Sequence, residues 1–489
     1  MRAEITVILD DRLKPTPDIV AIIGATPYTR ILRRRRRLGD DIRAAAARAG
    51  AEFVLVTDDD QAAALAERIE NRGVGPRYIR LPAYIAPLNM GLLARTLEKA
   101  SFALETTLLA PISTDDAPAL LEAGGAVEML RAPNAEARRA ILLRLSESAT
   151  HMVDRLAMID LRNPRALLRF LAGSTETRHF NNARAEAGIF KKSSQDRAKM
   201  TAEYQYYHVV PERMRRFLLS TFDFWENDTA AGYSMEHLLI PDTALQVVHS
   251  VLQPEDFELL LERFFAFIAA RETSPPDRAH TLATAEAQIL GKLDRRVAEF
   301  LALPAGQRVE AILAACGAQG SLRALHERAR AAIAAELRRD TTECLVVSHG
   351  DPCFSNILFD RRLGLMRLID PRGAVQREDA LMHPLYDLAK FSHSILGGYD
   401  FINNGLFECV LDTELGLALK LPSGAIPETA RAGFIGAVAR AGFELRAVRA
   451  VELSLFLSML PLHADHPQKL VGFALTAVDI LKALEADTP

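Results

Sequence analysis

The chain has 489 residues, of which 49% are apolar, and its 59 Lys and Arg against 63 Asp and Glu leave a formal charge of −4. That length exceeds what one hydrophobic core usually spans, so two or three domains are expected, and the ordinary balance of apolar and charged residues excludes a disordered chain. The slight acidic excess argues against a nucleic-acid binder, and four widely spaced cysteines indicate neither a disulfide framework nor a zinc site.

The opening "MRAEITVILDDRLKP" has an apolar core too short for a signal peptide. No apolar run nears the roughly 18 residues that crossing a bilayer takes, so no membrane span and a cytoplasmic location are expected. Residues 1–150 alternate strand-like and helix-like patterns. "EITVIL" and "DIVAIIG" read as short strands and "TRILRRRRRLGDDIRAAAARAG" as a helix; "EFVLV" follows as a strand, then "QAAALAERIENRG" and "LNMGLLARTLEKASFALETTLL" as helices. The alternation predicts an α/β layered domain with part of its sheet parallel. Acids follow one strand directly in "VLVTDDD", ending at Asp60, where open α/β sheets bind ligands and where an acidic metal site would fit. The five arginines Arg33 to Arg37 would wrap fully around a helix and form no single stripe. They read as a solvated segment or an intramolecular docking site. "GATPYTR", Gly24 to Arg30, faintly resembles the Gly-x-Gly-Thr-Arg phosphate loop of sugar nucleotidyltransferases, without its second glycine and downstream lysine. The domain is therefore read as a degenerate α/β unit used for docking or for placing substrate, with an active nucleotidyltransferase or glycosyltransferase as the alternative.

Residues 160–241 have a different texture. "RALLRFLAGSTETRHFNNARAEAGIFKKSS" reads as a hairpin or meander with a polar turn, followed by a helix over "QDRAKMTAEYQYYHVVP" and a strand pair, "LLSTFDFWEND" and "GYSMEHLL". Residues 242–489 are read as largely helical, "DFELLLERFFAFIAAR" showing a clear 3.6-residue apolar period. Two short strand-and-loop pieces interrupt them, "LVVSHGDPCFSNILFD" and "GLMRLIDPRG".

Those two pieces carry the residue types that phosphoryl transfer from ATP to an alcohol needs. Such a site needs a carboxylate for the hydroxyl proton, an amide oxygen and a second carboxylate for Mg²⁺, and a lysine on the phosphates; positioning and charge do most of the catalysis. Asp351 fits the first role and Asn356, five residues on, the second. Asp370, nineteen residues beyond Asp351, ends an apolar strand and would reach the same cation. Lys192 ends "GIFKK", with Glu203 eleven residues later on the following helix as its partner. The turn containing Gly173, Ser174 and Thr175 would cover the phosphates with backbone N–H and hydroxyl groups.

"SHGDPCFSNILFD" followed by "LIDPRG" resembles the aminoglycoside phosphotransferase and choline kinase group of the protein-kinase-like fold. The resemblance spans about residues 165 to 400. It implies an α+β fold, bilobal and protein-kinase-like, with a small β-rich lobe and a large helical lobe preceded by the α/β layered domain. It implies Asp351 as catalytic base, Asn356 and Asp370 as Mg²⁺ ligands, Lys192 as the phosphate lysine with Glu203 as its helix partner, and Ser234 to Leu238, including Glu236, as the hinge beside adenine. His349 is implied as a structural residue of the loop and Asp387 of "YDLAKF" as its buttress. Asp-Pro-Arg-Gly in place of Asp-Phe-Gly, and the missing arginine before the base, speak against protein-kinase-style regulation. Lys191 stays open as the alternative to Lys192. The implied function is an ATP- and Mg²⁺-dependent kinase of a small hydroxylated molecule, sugar-like or an amino alcohol, with a role in surface-polysaccharide metabolism suggested by the added domain. The alternatives are a nucleotide-binding scaffold with a silent kinase fold, and a bifunctional enzyme.

Overall fold

The computed structural model describes residues 4–33, 35–73, 75–103, 105–109, 116–147, 150–151, 156–172, 181–186, 188–316, 320–411, 416–464 and 466–486. The chain divides into two compact units, Met1–Glu176 and Thr177–Pro489.

In the first unit the apolar run Ile5–Asp10 forms strand β1, buried along its whole length, as a strand covered on both faces must be. Strands β2 (Glu52–Val56) and β3 (Arg77–Pro82) flank β1 in parallel, and the sheet continues through Ala119–Leu121, Thr107–Leu108 and Thr150–His151. Four local expectations change. "DIVAIIG" is helix α1 (Pro17–Ile23): Pro17 suits a helix start, Gly24 at φ 62° ends it, and the buried residues Ile19 and Ile23 stand one helical turn apart. The arginine run is no helix. Leu32–Arg33 and Arg36–Arg37 pair as a hairpin with Arg35 at φ 61°, and helix α2 (Leu38–Arg48) begins only after it. Arg33 lies over the Phe170 ring at 4.4 Å and Arg36 pairs with Asp41 at 2.7 Å, so like charges leave in different directions. The helix read over 88–109 stops at Ala100, and Thr107–Leu108 joins the sheet instead. The first part of the expected hairpin, Pro164–Ala172, is a helix of this unit, burying Leu167, Phe170 and Leu171 at helical spacing.

Two of the three acids after β2 are engaged in local structure. Asp58 caps helix α3 (Asp59–Arg72), accepting from the Gln61 N–H at 2.8 Å, and Asp59 pairs with Arg12 at 3.1 Å. Among the described residues no group of three His, Cys, Asp or Glu gathers as a metal site would require. At the end of β1, Asp10 accepts from Arg12 and Arg80 at 3.0 Å each, and Arg80 also pairs with Asp116, a network in which each buried cation has its anion.

The second unit has the α+β architecture expected, a small β-rich lobe and a large helical one. Strands β4 (Asn181–Glu186), β5 (Ile189–Ser194), β6 (Thr221–Glu226) and β7 (Ala231–Glu236) form an antiparallel sheet in the order β4-β5-β7-β6. Helix α4 (Arg197–Val209) packs on it, its Met200 joining Leu219, Ala231, Tyr233 and Met235 in a small core. The larger core is built by helices including α5 (Pro254–Ala270), α6 (Lys292–Leu301), α7 (Leu385–Ile395), α8 (Leu445–Ser458) and α9 (Pro467–Ala486). Within it Val346–Val347 pairs with Leu381–Met382, and β8 (Ile357–Asp360) pairs with β9 (Leu365–Leu368). Phe391 of α7 stacks on Phe264 of α5 at 3.9 Å and meets Phe354 at 5.1 Å, so the loop between Val347 and β8 is pinned from below. Among the described residues no helix is long and apolar enough to cross a membrane.

Candidate active site

Strand alternation decides which lysine turns inward. Lys192 is 5% exposed and lies opposite Tyr233 in the sheet, whereas Lys191 is exposed. The Lys192 Nζ reaches Glu203 Oε2 of α4 at 2.6 Å and Asp370 Oδ1 at 2.9 Å. The Tyr233 hydroxyl donates to the same Glu203 oxygen at 3.0 Å, fixing a carboxylate that is 2% exposed. Burial would drive the ammonium toward neutrality; the charges of Asp370 and Glu203 outweigh it and hold the Lys192 pKa above its ordinary value. Asp370 is 48% exposed, which leaves carboxylate surface open on the side away from Lys192. Desolvation opposes its ionisation, but Lys192 holds its carboxyl below the usual range.

Backbone geometry ties this group to the helix behind it. Asp370 has φ 54°, an uncommon conformation for a residue with a side chain. Gly373, three residues on at φ 90°, brings the chain against α4: a side chain there would meet the Ala202 carbonyl carbon and the Glu203 nitrogen at 2.9 Å. The Ala374 N–H donates to the Ala202 carbonyl at 2.9 Å. This explains the glycine of Asp-Pro-Arg-Gly, because the Asp370 loop and the Glu203 helix touch backbone to backbone.

The His-Gly-Asp loop is held from beneath. Asp387 of α7 accepts from the Gly350 N–H at 2.8 Å and the His349 N–H at 3.3 Å, and Arg271 balances it at 3.3 Å. The Tyr206 hydroxyl donates to the Ser348 carbonyl at 2.9 Å. His349 is fully buried, and burial lowers its pKa, so it stands as neutral structure. Gly350 has φ 81°, and Arg372 packs over it with its Cβ only 2.7 Å from where a side chain would begin.

Asp351 leaves this loop 40% exposed, with Oδ1 at 2.9 Å from Lys390 Nζ. Desolvation raises its pKa, but Lys390, in charge and hydrogen bond, more than offsets this, and the carboxyl ionises below the usual range. The Asn356 amide donates from Nδ2 to the Asp351 carbonyl at 2.9 Å, and the Ile369 N–H donates to the Asn356 carbonyl at 3.0 Å. Asp351, Asn356 and Asp370 are thus joined through one backbone and side-chain network. The Asn356 amide oxygen and the open side of Asp370 are hard oxygen donors, two in number, a set that suits Mg²⁺ with phosphates and water completing its shell.

Lys192, Glu203, Asp351, Asn356 and Asp370 are therefore brought together. Glu236 and Leu238 stand at and just beyond the end of β7; Glu236 is exposed and Leu238 packs against the small core, so neither belongs to the ion-pair group around Lys192. Ser174 and Thr175, with Gly173, lie outside the described residues. Lys390 was missed by sequence reasoning, as were Tyr233 and Arg271. Lys390 sits three residues after Asp387 in "YDLAKF", one helical turn on, and that spacing was the available signal.

No family model and no curated protein matches the sequence. Among solved structures, the chain is similar to a thermostable mutant of aminoglycoside phosphotransferase APH(4)-Ia in apo form, with 13% identity and a TM-score of 0.38 over 64% of this chain and 94% of that one. A ternary complex of such a mutant with AMP-PNP and hygromycin B gives 14% identity and 0.39 over 64% and 93%, and aminoglycoside phosphotransferase APH(4)-Ia itself 12% and 0.38 over 64% and 93%. Likeness at that level carries no function across, so the functional reading rests on the geometry of Lys192, Asp351, Asn356 and Asp370 in this chain.

Proposed function

We propose that the second unit transfers the γ-phosphoryl group of ATP to a hydroxyl of a small, sugar-like or amino-alcohol metabolite. The observation that carries this reading is the double ion pair of Lys192, with Glu203 and with Asp370, the latter 178 residues away in the chain. It places a fixed cation beside an open carboxylate, within a network that also holds Asp351. In the reaction, Asp351 takes the acceptor's proton while the hydroxyl oxygen forms a bond to the γ-phosphorus. The bond from that phosphorus to the β–γ bridging oxygen breaks, and ADP leaves with the electron pair. Lys192, held by Glu203, neutralises phosphate charge, and the ordered backbone at Asp370 keeps that neutralisation in place without reorganisation. Asp370 and Asn356 would hold Mg²⁺, whose chemistry is charge neutralisation on the phosphates. Glu236 and Leu238 are proposed to border the adenine, and Ser174 and Thr175 to cover the phosphates. For the first unit, the engagement of Asp58 and Asp59 in capping and pairing favours docking or substrate placement over nucleotidyl transfer.

The test is ATP turnover by the full chain against a panel of hydroxylated acceptors. Asp351→Ala should lower turnover by about 10²–10⁴ while Mg·ATP still binds. Undiminished turnover in that variant would remove the proposed base, and a wild type that binds Mg·ATP but phosphorylates nothing would favour a silent fold. Pyrophosphate release from sugar phosphates and nucleoside triphosphates would overturn the reading of the first unit.

A further inference from the structure

Beyond Asp351, the surface next to the proposed base carries an excess of cations. Tyr386 and Lys390 lie on one face of α7, four residues apart. Lys390 is used by Asp351 at 2.9 Å. The Tyr386 hydroxyl accepts from Lys292 Nζ at 2.9 Å, and the Arg372 guanidinium lies 5.7 Å from the centre of the same ring.

Lys292 and Arg372 reach this place by specific means. Lys292 is the first residue of α6 after the π-helical turn Glu286–Gly291, a widened turn of the kind that often marks functional sites. Gln288 within that turn donates to the Leu381 carbonyl at 3.1 Å, which fixes it beside the short strand that precedes α7. Arg372 is held by its N–H donating to the His349 carbonyl at 2.9 Å and by packing over Gly350, the residue before the base. Among the described residues neither Lys292 nor Arg372 pairs with a carboxylate. Lys292 is half-buried, and burial lowers its pKa, with Lys390 and Arg372 repelling it further and Tyr386 only partly compensating. Asp351 feels the charge of Lys292 but is already ion-paired with Lys390, so three cations share one carboxylate here, and burying charge without a full counter-charge is costly.

We infer that Lys292 and Arg372 form an oxyanion subsite, so that the acceptor is a hydroxylated metabolite bearing a phosphate or carboxylate group. This rests on the phosphotransfer reading for the place of the acceptor hydroxyl, at Asp351, and it replaces the amino-alcohol option with an anionic, sugar-like one. The anion anchors the acceptor on Lys292 and Arg372 while its hydroxyl lies at Asp351; the bonds formed and broken are those of the reaction above. The same two cations suit one other oxyanion, the γ-phosphate of ATP, and the experiment separates the two.

Inorganic phosphate is titrated calorimetrically into the full-length protein, once nucleotide-free and once saturated with Mg·AMP-PNP, which fills the γ position. The expected result is phosphate binding in both states, weakened about tenfold or more by Lys292→Met and by Arg372→Gln, with the Kd for Mg·AMP-PNP changed less than about threefold. Arg372 is exposed, so that variant stays informative if Lys292→Met fails to fold. Phosphate that does not bind, binding that both variants leave intact, or variants that weaken Mg·AMP-PNP instead would each overturn the subsite. In turnover, glycerol 3-phosphate and glucose 6-phosphate should be preferred over glycerol and glucose, and a higher KM for the anionic acceptor should appear in Lys292→Met. Preference for neutral or cationic acceptors would also overturn it. The phosphate titration reads the subsite even if no acceptor is turned over, so it fails separately from the kinase reading.

Discussion

Lys390 binds Asp351 at 2.9 Å and keeps its carboxyl ionised below the ordinary range. In Lys390→Met the largest opposition to burial is lost and only the weaker influences of His349 and Lys292 remain, so the pKa of Asp351 rises. The acid limb of kcat against pH should therefore move to higher pH than in the wild type, and an unmoved limb would show that Asp351 is not the titrating base. Glu203→Gln keeps the shape of the Lys192 pair but removes the charge. It should weaken Mg·AMP-PNP binding or lower kcat by about tenfold or more, as expected when a buried cation loses its partner. A buried residue behind the loop that carries Asp351 gives a stability prediction. Asp400 is 1% exposed beside Ser394, and burial pushes its carboxyl up to about 7. The folded state then holds a proton that the unfolded chain releases near pH 4, so this group's contribution falls as pH rises from about 4 to about 7 and is level above that. Asp400→Asn removes the slope. Chemical denaturation should find the variant more stable than the wild type at pH 8, by at most about 4 kcal/mol, with the difference shrinking toward pH 4.

At the scale of elements, the site depends on two backbone contacts that only glycine permits. Gly373 joins the Asp370 loop to α4, and Gly350 lets Arg372 cover the base loop. Gly373→Ala must both adopt φ 90° and push the Ala202–Glu203 backbone away. Destabilisation of roughly 1–3 kcal/mol is expected, together with weaker Mg·AMP-PNP binding as Glu203 moves from Lys192. Denaturation and calorimetry check both, and intact nucleotide affinity would show that α4 does not set the lysine. Strand and helix choice at this scale was only partly legible. The pair "LLSTFDFWEND" and "GYSMEHLL" was readable from its aromatic-rich strand composition, and the period of Pro254–Ala270 because one helix face is buried. "DIVAIIG" was misread because a short apolar run has no period of its own, and Pro17 with Gly24 decided it. The arginine run was misread because helical propensity yielded to a hairpin that separates the charges.

For the whole molecule, the candidate chemistry lies within Thr177–Pro489. Mg·AMP-PNP should therefore slow hydrogen exchange in β5, α4, the loop from Ser348 to Asn356 and the Asp370 loop, while the amides of β1, β2 and β3 keep their rates. Protection concentrated in β1 to β3 would place the nucleotide in the other unit. The sequence by itself pointed to the candidate chemistry: His-Gly-Asp followed by Asn356, then Asp370, are close enough in the chain for their order and spacing to carry meaning. It also determined that a lysine and a helix glutamate lay upstream of them. Only the tertiary structure decided that Lys192 rather than Lys191 turns inward, that Lys390 pairs with Asp351, and that Lys292 and Arg372 stand beside Tyr386 with no carboxylate partner among the described residues. Short-range motifs are fixed by the covalent chain, whereas contacts across tens to hundreds of residues depend on how helices and sheet pack, and neither spacing nor composition encodes which cation meets which carboxylate.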